Sequence, residues 1–445
     1  MQKYELKREI AIDEGYDIVV AGGGPAGTAA AVCAARLGAK VMLVEALGCL
    51  GGLGTSGIVA AFGPMANGEV QFAKGFIGEV IETLHERGYT AHDANPEGWR
   101  KKYHTWTRYN VEGLKLVLDE LAEAAGVDVR FFTKVIDADV DSERNVKGVV
   151  ISNVEGYRYI KAKAFVDATG DAVVADLCGT ECRVAYRDTD RAMPPTLTSL
   201  WANCDWDRVE KGKIQGLLEK AVDEGHFSQW DKHFPGMNRM DKTTGYLNGG
   251  HLFKTNGLRS EEVSKAMIRG RKLVLEFEAF MKKYVPGFED MEITATSSLL
   301  GLRETRNIIG EAMITKEDFI AKRQFPDQIG VYNRFMDVHV YDTTPEEYER
   351  FESYCENYRL GEGNVLGLPY GILVPKGFKN LWVAGRCVSS DTQVLGTIRA
   401  QPCCSIMGQA AGTAAVQSVK TGQPACELNT EALRETLRTQ GVYLP

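Results

Sequence analysis

Three sets of side chains in this sequence have the types and the spacing to do chemistry. The first is Gly22-Gly23-Gly24-Pro25-Ala26-Gly27, a Gly-x-Gly-x-x-Gly run, with Glu45 standing 23 residues beyond Gly22. Gly22 permits a tight turn, Gly24 lets the backbone approach a pyrophosphate, and Gly27 brings a helix close to a sheet. A carboxylate at Glu45 can accept both hydroxyls of a ribose and would repel a 2′-phosphate. The second set is His251 in "YLNGGHLFKTNG" and His339 in "FMDVHVYD", both proton carriers near neutral pH or else core residues. The third is Arg303 and Arg306 in "GLRETR", with Arg399 in "GTIRAQP". Spacing of three would set Arg303 and Arg306 on one helical face, as a substrate clamp or as an ion-pair network between domains. Arginines suit a carboxylate substrate, and a neighbouring base suits the oxidation of an alcohol or amine.

These residues need a frame. Tyr16–Glu45 reads as strand, glycine turn, helix and second strand, the opening of a parallel α/β sheet. A glycine-rich loop, Gly48–Gly57, follows. Residues 65–109 read as irregular, an insertion covering the site, with Trp106, Tyr109 and Tyr246 as candidates to line a lid. "VEGLKLVLDELAEAAG" has helical spacing and stops at Gly126, and three β-rich runs follow up to "FVDATGD". After about Arg187 the glycines thin out and Pro, Trp and charge increase; a long helix is expected over Ser260–Tyr284, opening on the capping pattern "SEEV". From Leu366 the glycine-rich style returns, with a strand in "NLWVAGR" and a helix opening near Pro402. Residues 1–187 and 362–445 therefore read as one discontinuous domain, interrupted by residues 188–361. The fold class is α/β, a Rossmann-like nucleotide domain interrupted by an α+β substrate domain.

The 445 residues carry a net charge of −8, which argues against nucleic acid as a partner. Ten cysteines contain no Cys-x-x-Cys pair, so no metal or cluster is expected, and their scatter suits a reduced, cytoplasmic protein. Cys178 and Cys182 could share a helical face as packing. The N-terminus lacks a signal-like apolar core, and the uncharged stretches Ile18–Ala35, Ala46–Gly68 and Ala400–Val419 are too rich in small residues to signal membrane insertion.

The combination of "DIVVAGGGPAGTAAA", "LGGLGTSG", "AFVDATGDAVVADLCG", "GLRETRNIIGEAMITKEDF", "LPYGILVPKGFKNLWVAGRCVSS" and "GTIRAQPCCSIMGQAAG" resembles the FAD-dependent oxidoreductases of the glutathione-reductase-like superfamily, relatives of the fumarate reductase flavoprotein type. The resemblance implies bound FAD in a discontinuous nucleotide domain. It implies cofactor contacts from Gly22, Gly24, Pro25, Ala26, Gly27, Glu45 and Ala46, and from Gly51, Gly52 and Thr55 of the next loop. Further contacts are implied at Val135, at Ala168, Thr169, Gly170 and Asp171, and at Gly385, Arg386, Arg399 and Gly408.

No Cys-x-x-x-x-Cys pair follows the "LGG" loop, so thiol–disulfide flavin chemistry is excluded. Residues 46–84 contain no His that could tether a flavin there, and no second Gly-x-Gly-x-x-Gly unit offers an NAD(P)H domain. The expected activity is hydride transfer between a small polar metabolite (hydroxy acid, polyol, sugar or amine) and flavin N5. His251, His339, Arg303 and Arg399 are the catalytic candidates. The alternatives are a fumarate-type reductase of an activated C=C bond, an electron-transfer flavoprotein subunit, or a non-redox enzyme in which FAD is structural. A small-molecule substrate is expected, with room for an electron-accepting partner and for a homo-oligomer.

Overall fold

The structure is a computed structural model that describes residues 5–445. Its central sheet opens as the sequence predicts. Strand β1 (Ala11–Ala21) and the four-residue β2 (Val41–Val44) run parallel, joined by helix α1 (Pro25–Arg36). Helix α2 (Phe76–Glu86) lies within the segment expected to be irregular. There Phe76, Ile77, Val80, Ile81 and Leu84 recur at helical spacing and bury one face. Helix α3 (Val111–Ala124) follows; the side chain of Asn110 caps it, and the chain turns away at Gly126.

Strand β3 (Asp128–Arg130) extends the parallel sheet beside β2. A meander of β4 (Lys134–Val140), β5 (Val146–Asn153) and β6 (Gly156–Asp167) then returns to it. The first half of β6 pairs antiparallel with β5, while along its length it pairs parallel with β1. Its last residues also take a parallel partner from the far end of the chain, Leu381–Val383.

The middle of the chain builds a second, four-stranded antiparallel sheet. It contains β7 (Ser199–Ala202), β8 (Gly236–Arg239), β9 (Gly245–Asn248) and β10 (Glu292–Thr296), in the order β8-β9-β7-β10. Its apolar face packs on helix α4 (Ser260–Tyr284) through Leu197, Trp201, Leu273, Phe277 and Met281. The "SEEV" capping box does not form. The helix is capped by Arg259 without a side-chain bond, because the Glu262 carboxylate turns back to accept from the Asn256 amide at 2.8 Å. "GLRETR" is not helical either. Gly301 donates to the Thr196 carbonyl and Ala185 to the Thr305 carbonyl, so the segment is held extended between neighbours and Arg306 opens a short strand, Arg306–Ile308. Cys178 closes a short helix and Cys182 begins a strand, so they share no helical face. All ten cysteines are unpaired.

Helix α5 (Pro345–Asn357) precedes β11 (Leu381–Val383), which carries the chain back beside β6. Helices α6 (Thr392–Ile398) and α7 (Gln401–Thr421) follow. The segment from Ile314 to Leu360 packs its buried apolar residues with the nucleotide-side core, not with the core under the second sheet. Helix α7 is buried along almost its whole length, because it lies against α1 at backbone distance. A Cβ on Gly408 would fall 1.9 Å from the Ala26 carbonyl oxygen, and one on Gly412 would fall 2.2 Å from that of Ala30. Among the described residues no helix is long and apolar enough to cross a membrane.

Candidate active site

The site begins at the turn between β1 and α1. Gly22 has φ of +93° and lies so close to the returning strand that a Cβ would sit 2.5 Å from the Ala168 carbonyl oxygen. Gly24 caps α1, no side chain bonds the first free N–H groups, and a Cβ on Gly24 would meet nothing within 4 Å. An uncapped N-terminus of a 12-residue helix, fronted by open space, is a cradle for phosphate. Glu45 is buried beside it and accepts from the amides of Gly23 at 2.5 Å and Leu47 at 2.7 Å. Burial raises its pKa, and those amides offset the shift only in part. Each carboxylate oxygen keeps a lone pair for a ribose hydroxyl. Turn, helix end and acid therefore fit a dinucleotide of the FAD type.

The other residues expected around a cofactor fall into two groups. Ala46, Gly51, Gly52, Ala168 and Gly385 surround the turn: Gly51 donates to the Gly23 carbonyl, and a Cβ on Gly52 would lie 3.0 Å from Gly24 Cα. Pro25, Ala26 and Gly27 form the first turn of α1, and Val135 is buried at the start of β4. Four more also brace the protein itself. Thr55 donates its hydroxyl to the Leu50 carbonyl, and Thr169 donates to Asp167. Arg386 is spent on the Gly170 carbonyl and on Asp171, which also accepts from Thr305. Gly408 packs against Ala26 in the first turn of α1.

A cavity of about 540 Å³ lies between the start of α7 and the second sheet. Its size suits a small ligand. Val59, Ala61, Ala400 and Gln401 line the nucleotide side; Thr196, Tyr246, Asn248 and Arg303 line the other. Trp106 and Phe335 stand at the wall with His104 packed between them. Tyr109, in contrast, is fully buried and braces the Gly54 and Val59 carbonyls.

Positive charge dominates this cavity. Arg399 and Arg334 both reach Asp337 Oδ2, at 2.8 and 2.7 Å. Arg303 donates to the Pro194 carbonyl and to Thr196 Oγ1, and has no carboxylate partner among the described residues. Arg306 points elsewhere, to Asp176 at 2.8 Å. Burial, with the neighbouring charge of Arg399, pushes the Arg303 guanidinium down to about 9. Burial brings Arg399 down to about 10, even with Asp337 alongside. Burial alone would raise the Asp337 carboxyl, but His339 and the two arginines hold it well below the ordinary range. Three buried guanidiniums thus stand about one carboxylate, which only Arg334 and Arg399 reach.

Three imidazoles complete the wall. His339 lines the cavity, with Nε2 3.3 Å from Asp337 Oδ1 and Nδ1 2.8 Å from His251 Nε2. His251, expected to face the substrate, is instead buried behind His339, where Nδ1 meets Asp231 at 3.1 Å. His233, which no sequence pattern marked, lines the cavity, stacks on His251 and leaves Nε2 without a partner. Burial and the charge of His251 push His233 down to about 3. Burial and Arg303 likewise hold His339 well below its usual value, so both are neutral near pH 7. Potential ligand atoms of the three rings lie within 4.8 Å of one another. Two nitrogens bound tetrahedrally to zinc would lie roughly 3.3 Å apart. The 2.8 Å between His251 and His339 is hydrogen-bond spacing instead.

Residues 17–437 match the family described as FAD dependent oxidoreductase. Among curated proteins, a tRNA uridine 5-carboxymethylaminomethyl modification enzyme of Rhodopirellula baltica is 34% identical over 109 residues, 22% of this chain but only 16% of that enzyme. Among solved structures, a geranylgeranyl bacteriochlorophyll reductase-like protein of Thermoplasma acidophilum superposes with a TM-score of 0.50 at 13% identity, over 97% of this chain and 85% of that one. A myxobacterial chondrochloren halogenase gives a TM-score of 0.46 at 14% identity, over 96% and 79% of the two chains. At these identities the structural likeness concerns the fold.

Proposed function

The chain belongs to the FAD-dependent oxidoreductase family, and from that premise we propose that this enzyme oxidises a small metabolite bearing a carboxylate, foremost a hydroxy acid. The observation that carries the reading is the excess of buried guanidinium over carboxylate in the cavity: Arg303, Arg334 and Arg399 against Asp337. Buried charge of one sign is costly, and an anionic substrate offsets it.

FAD, when bound in the glycine cradle, supplies the site that accepts a hydride. The rest falls to the protein. Arg303 and Arg399 hold the substrate carboxylate, and their fork geometry fixes its orientation. His339, neutral near pH 7, accepts the hydroxyl proton at Nε2. Trp106 and Phe335 stand at the cavity wall, where they can pack against the substrate. Residues 1–187 and 362–445 hold the cofactor in this reading, and the 188–361 segment supplies the far wall. A cytoplasmic location fits the ten unpaired cysteines.

A second reading runs the site in reverse, reducing an activated C=C bond. It is favoured by the lowered pKa of Arg303, which suits a buried proton donor.

The test uses a non-reacting dicarboxylate, malonate, titrated into the flavin-loaded protein and followed by the flavin absorbance. Saturable perturbation that weakens at least tenfold in Arg303→Gln and Arg399→Gln supports the carboxylate site. Equal response in the wild type and both variants removes it.

A further inference from the structure

The cavity does not end at His339. Behind it lies a closed line of polar groups. Asp231 accepts from the His251 amide at 2.7 Å and the His233 amide at 3.1 Å. It also accepts the Tyr348 hydroxyl of α5 at 2.6 Å. The Asp231 and His251 side chains are 3% and 1% exposed, so water does not compete for these bonds.

The proton positions along this line follow from one fact. An ionised carboxylate can only accept. Asp231 collects hydrogen bonds from two backbone amides, the Tyr348 hydroxyl and the His251 ring, the donor-rich setting of an ionised carboxylate. His251 must therefore carry its proton on Nδ1 when neutral, which leaves a lone pair on Nε2. That lone pair meets His339 Nδ1 at 2.8 Å, so His339 must donate from Nδ1. Neutral His339 is left with its lone pair on Nε2, 3.3 Å from Asp337 Oδ1, a contact between two acceptors that an incoming hydroxyl donor relieves.

We propose that Asp231 and His251 are positioning residues for the reaction, forming an Asp–His–His relay that keeps the lone pair of His339 on Nε2 and draws the charge away once a proton arrives. This inference rests on the reading of the cavity as the active site and of His339 as its base. In the step, the substrate O–H bond breaks with its electron pair staying on oxygen, and an N–H bond forms at His339 Nε2. The Nδ1 proton then crosses to His251 Nε2. His339 ends neutral and His251 ends as an imidazolium paired with Asp231.

The surroundings favour that direction. Arg303 and His233 face His339 and disfavour charge there; Asp337 Oδ1, 3.3 Å from Nε2, favours it, but that carboxylate also carries Arg334 and Arg399 on Oδ2. At the other end, Asp231 and the Tyr348 hydroxyl surround His251. No neighbouring guanidinium bonds Asp231 among the described residues, so its charge remains available to the imidazolium. The same logic, a carboxylate fixing the tautomer of a base, operates in hydrolase triads with one imidazole fewer.

The experiment is nitrogen NMR of the flavin-loaded protein labelled with 15N-histidine, whose two-bond spectra distinguish protonated from bare ring nitrogens. The chain has seven histidines, and His251→Gln and His339→Gln assign the two that matter. The expected result at neutral pH is the Nδ1–H tautomer at both positions. Asp231→Asn, whose amide can donate to His251 Nδ1, should convert both to Nε2–H while flavin remains bound, and Asp231→Glu should restore the wild-type pattern. Finding His339 as Nε2–H in the wild type, unchanged tautomers in Asp231→Asn, or one zinc ion per chain in the purified protein would overturn the relay. The spectra need no substrate, so they can fail while the malonate test succeeds. With a donor acid in hand, Asp231→Asn should slow flavin reduction by about 10³–10⁴-fold at unchanged donor affinity.

Discussion

Gly24→Ala separates a residue that makes room for the cofactor from one that makes room for the fold. Gly24 has φ of −69° and ψ of −174°, a conformation open to any residue, and a Cβ there meets no protein atom within 4 Å. Restricting the unfolded chain contributes about 0.4–1 kcal/mol of stability, and alanine is a poorer helix cap than glycine by a similar amount. Apoprotein stability should therefore change by no more than about 0.5 kcal/mol. The open space is where the pyrophosphate would approach, and an added methyl in a filled contact costs about 1–3 kcal/mol. FAD affinity should then fall about 5- to 150-fold. The companion Gly27→Ala places a Cβ 1.7 Å from the Gly22 carbonyl oxygen, so it should lose both stability and FAD. Urea unfolding of the apoprotein and titration of FAD by quenching of its fluorescence read the two quantities separately. Unchanged FAD affinity in Gly24→Ala, with the fold intact, would refute the cradle.

Other consequences are as direct. Gly408→Leu drives its side chain into the Ala26 carbonyl and must part α1 from α7; urea unfolding should show a loss of several kcal/mol or no folded protein. Asp337→Asn leaves Arg334 and Arg399 buried without their anion and should cost about 3–5 kcal/mol in the same assay. Arg399→Gln should cost less, because Arg334 still neutralises Asp337. Stability should also fall in mild acid. His233 has a folded pKa of about 3, below its ordinary value of 6.5. Between those values the unfolded chain binds more protons, so stability is full above the upper value and declines as pH drops through the window. This residue alone contributes about 1.4 kcal/mol per pH unit well inside it, and His339 acts in the same direction. Unfolding midpoints at pH 7, 6 and 5 should show the slope, and His233→Gln should flatten it by one proton.

The nucleotide half of this fold was legible in the sequence because its signals are local. Strand, glycine turn, helix and acid follow one another between Tyr16 and Glu45, and helical spacing marked Ser260–Tyr284 to the residue. Helix α2 was hidden among glycines and polar neighbours, although its apolar residues keep a helical period once Phe76 is taken as the start. The cavity was only half visible. His339, Arg303 and Arg399 were found by residue type, but Asp231, His233, Arg334 and Asp337 lie in irregular segments far apart in the chain. Nothing local links "WDKHFPG" to "FMDVHVYD"; tertiary packing alone brings His233 and His251 beside His339. The misreading of "GLRETR" has the same origin. Spacing of three suggests a helical face, but backbone bonds to Thr196 and Ala185 hold the segment extended, so Arg303 enters the cavity while Arg306 turns to Asp176. A sharper signal lay in Asp337 itself, a lone acid two residues from His339 and three from Arg334 in an otherwise apolar run.

The central claim, a flavin site that oxidises a carboxylate-bearing donor, is tested most directly by the visible spectrum of the flavin-loaded protein without oxygen. Small hydroxy acids should be added beside neutral polyols, sugars and amines of the same size. The account predicts bleaching of the flavin band by at least one hydroxy acid, none by the neutral donors, and rates at least tenfold slower in Arg399→Gln. Bleaching by a neutral polyol or an amine, with no hydroxy acid effective, would contradict it.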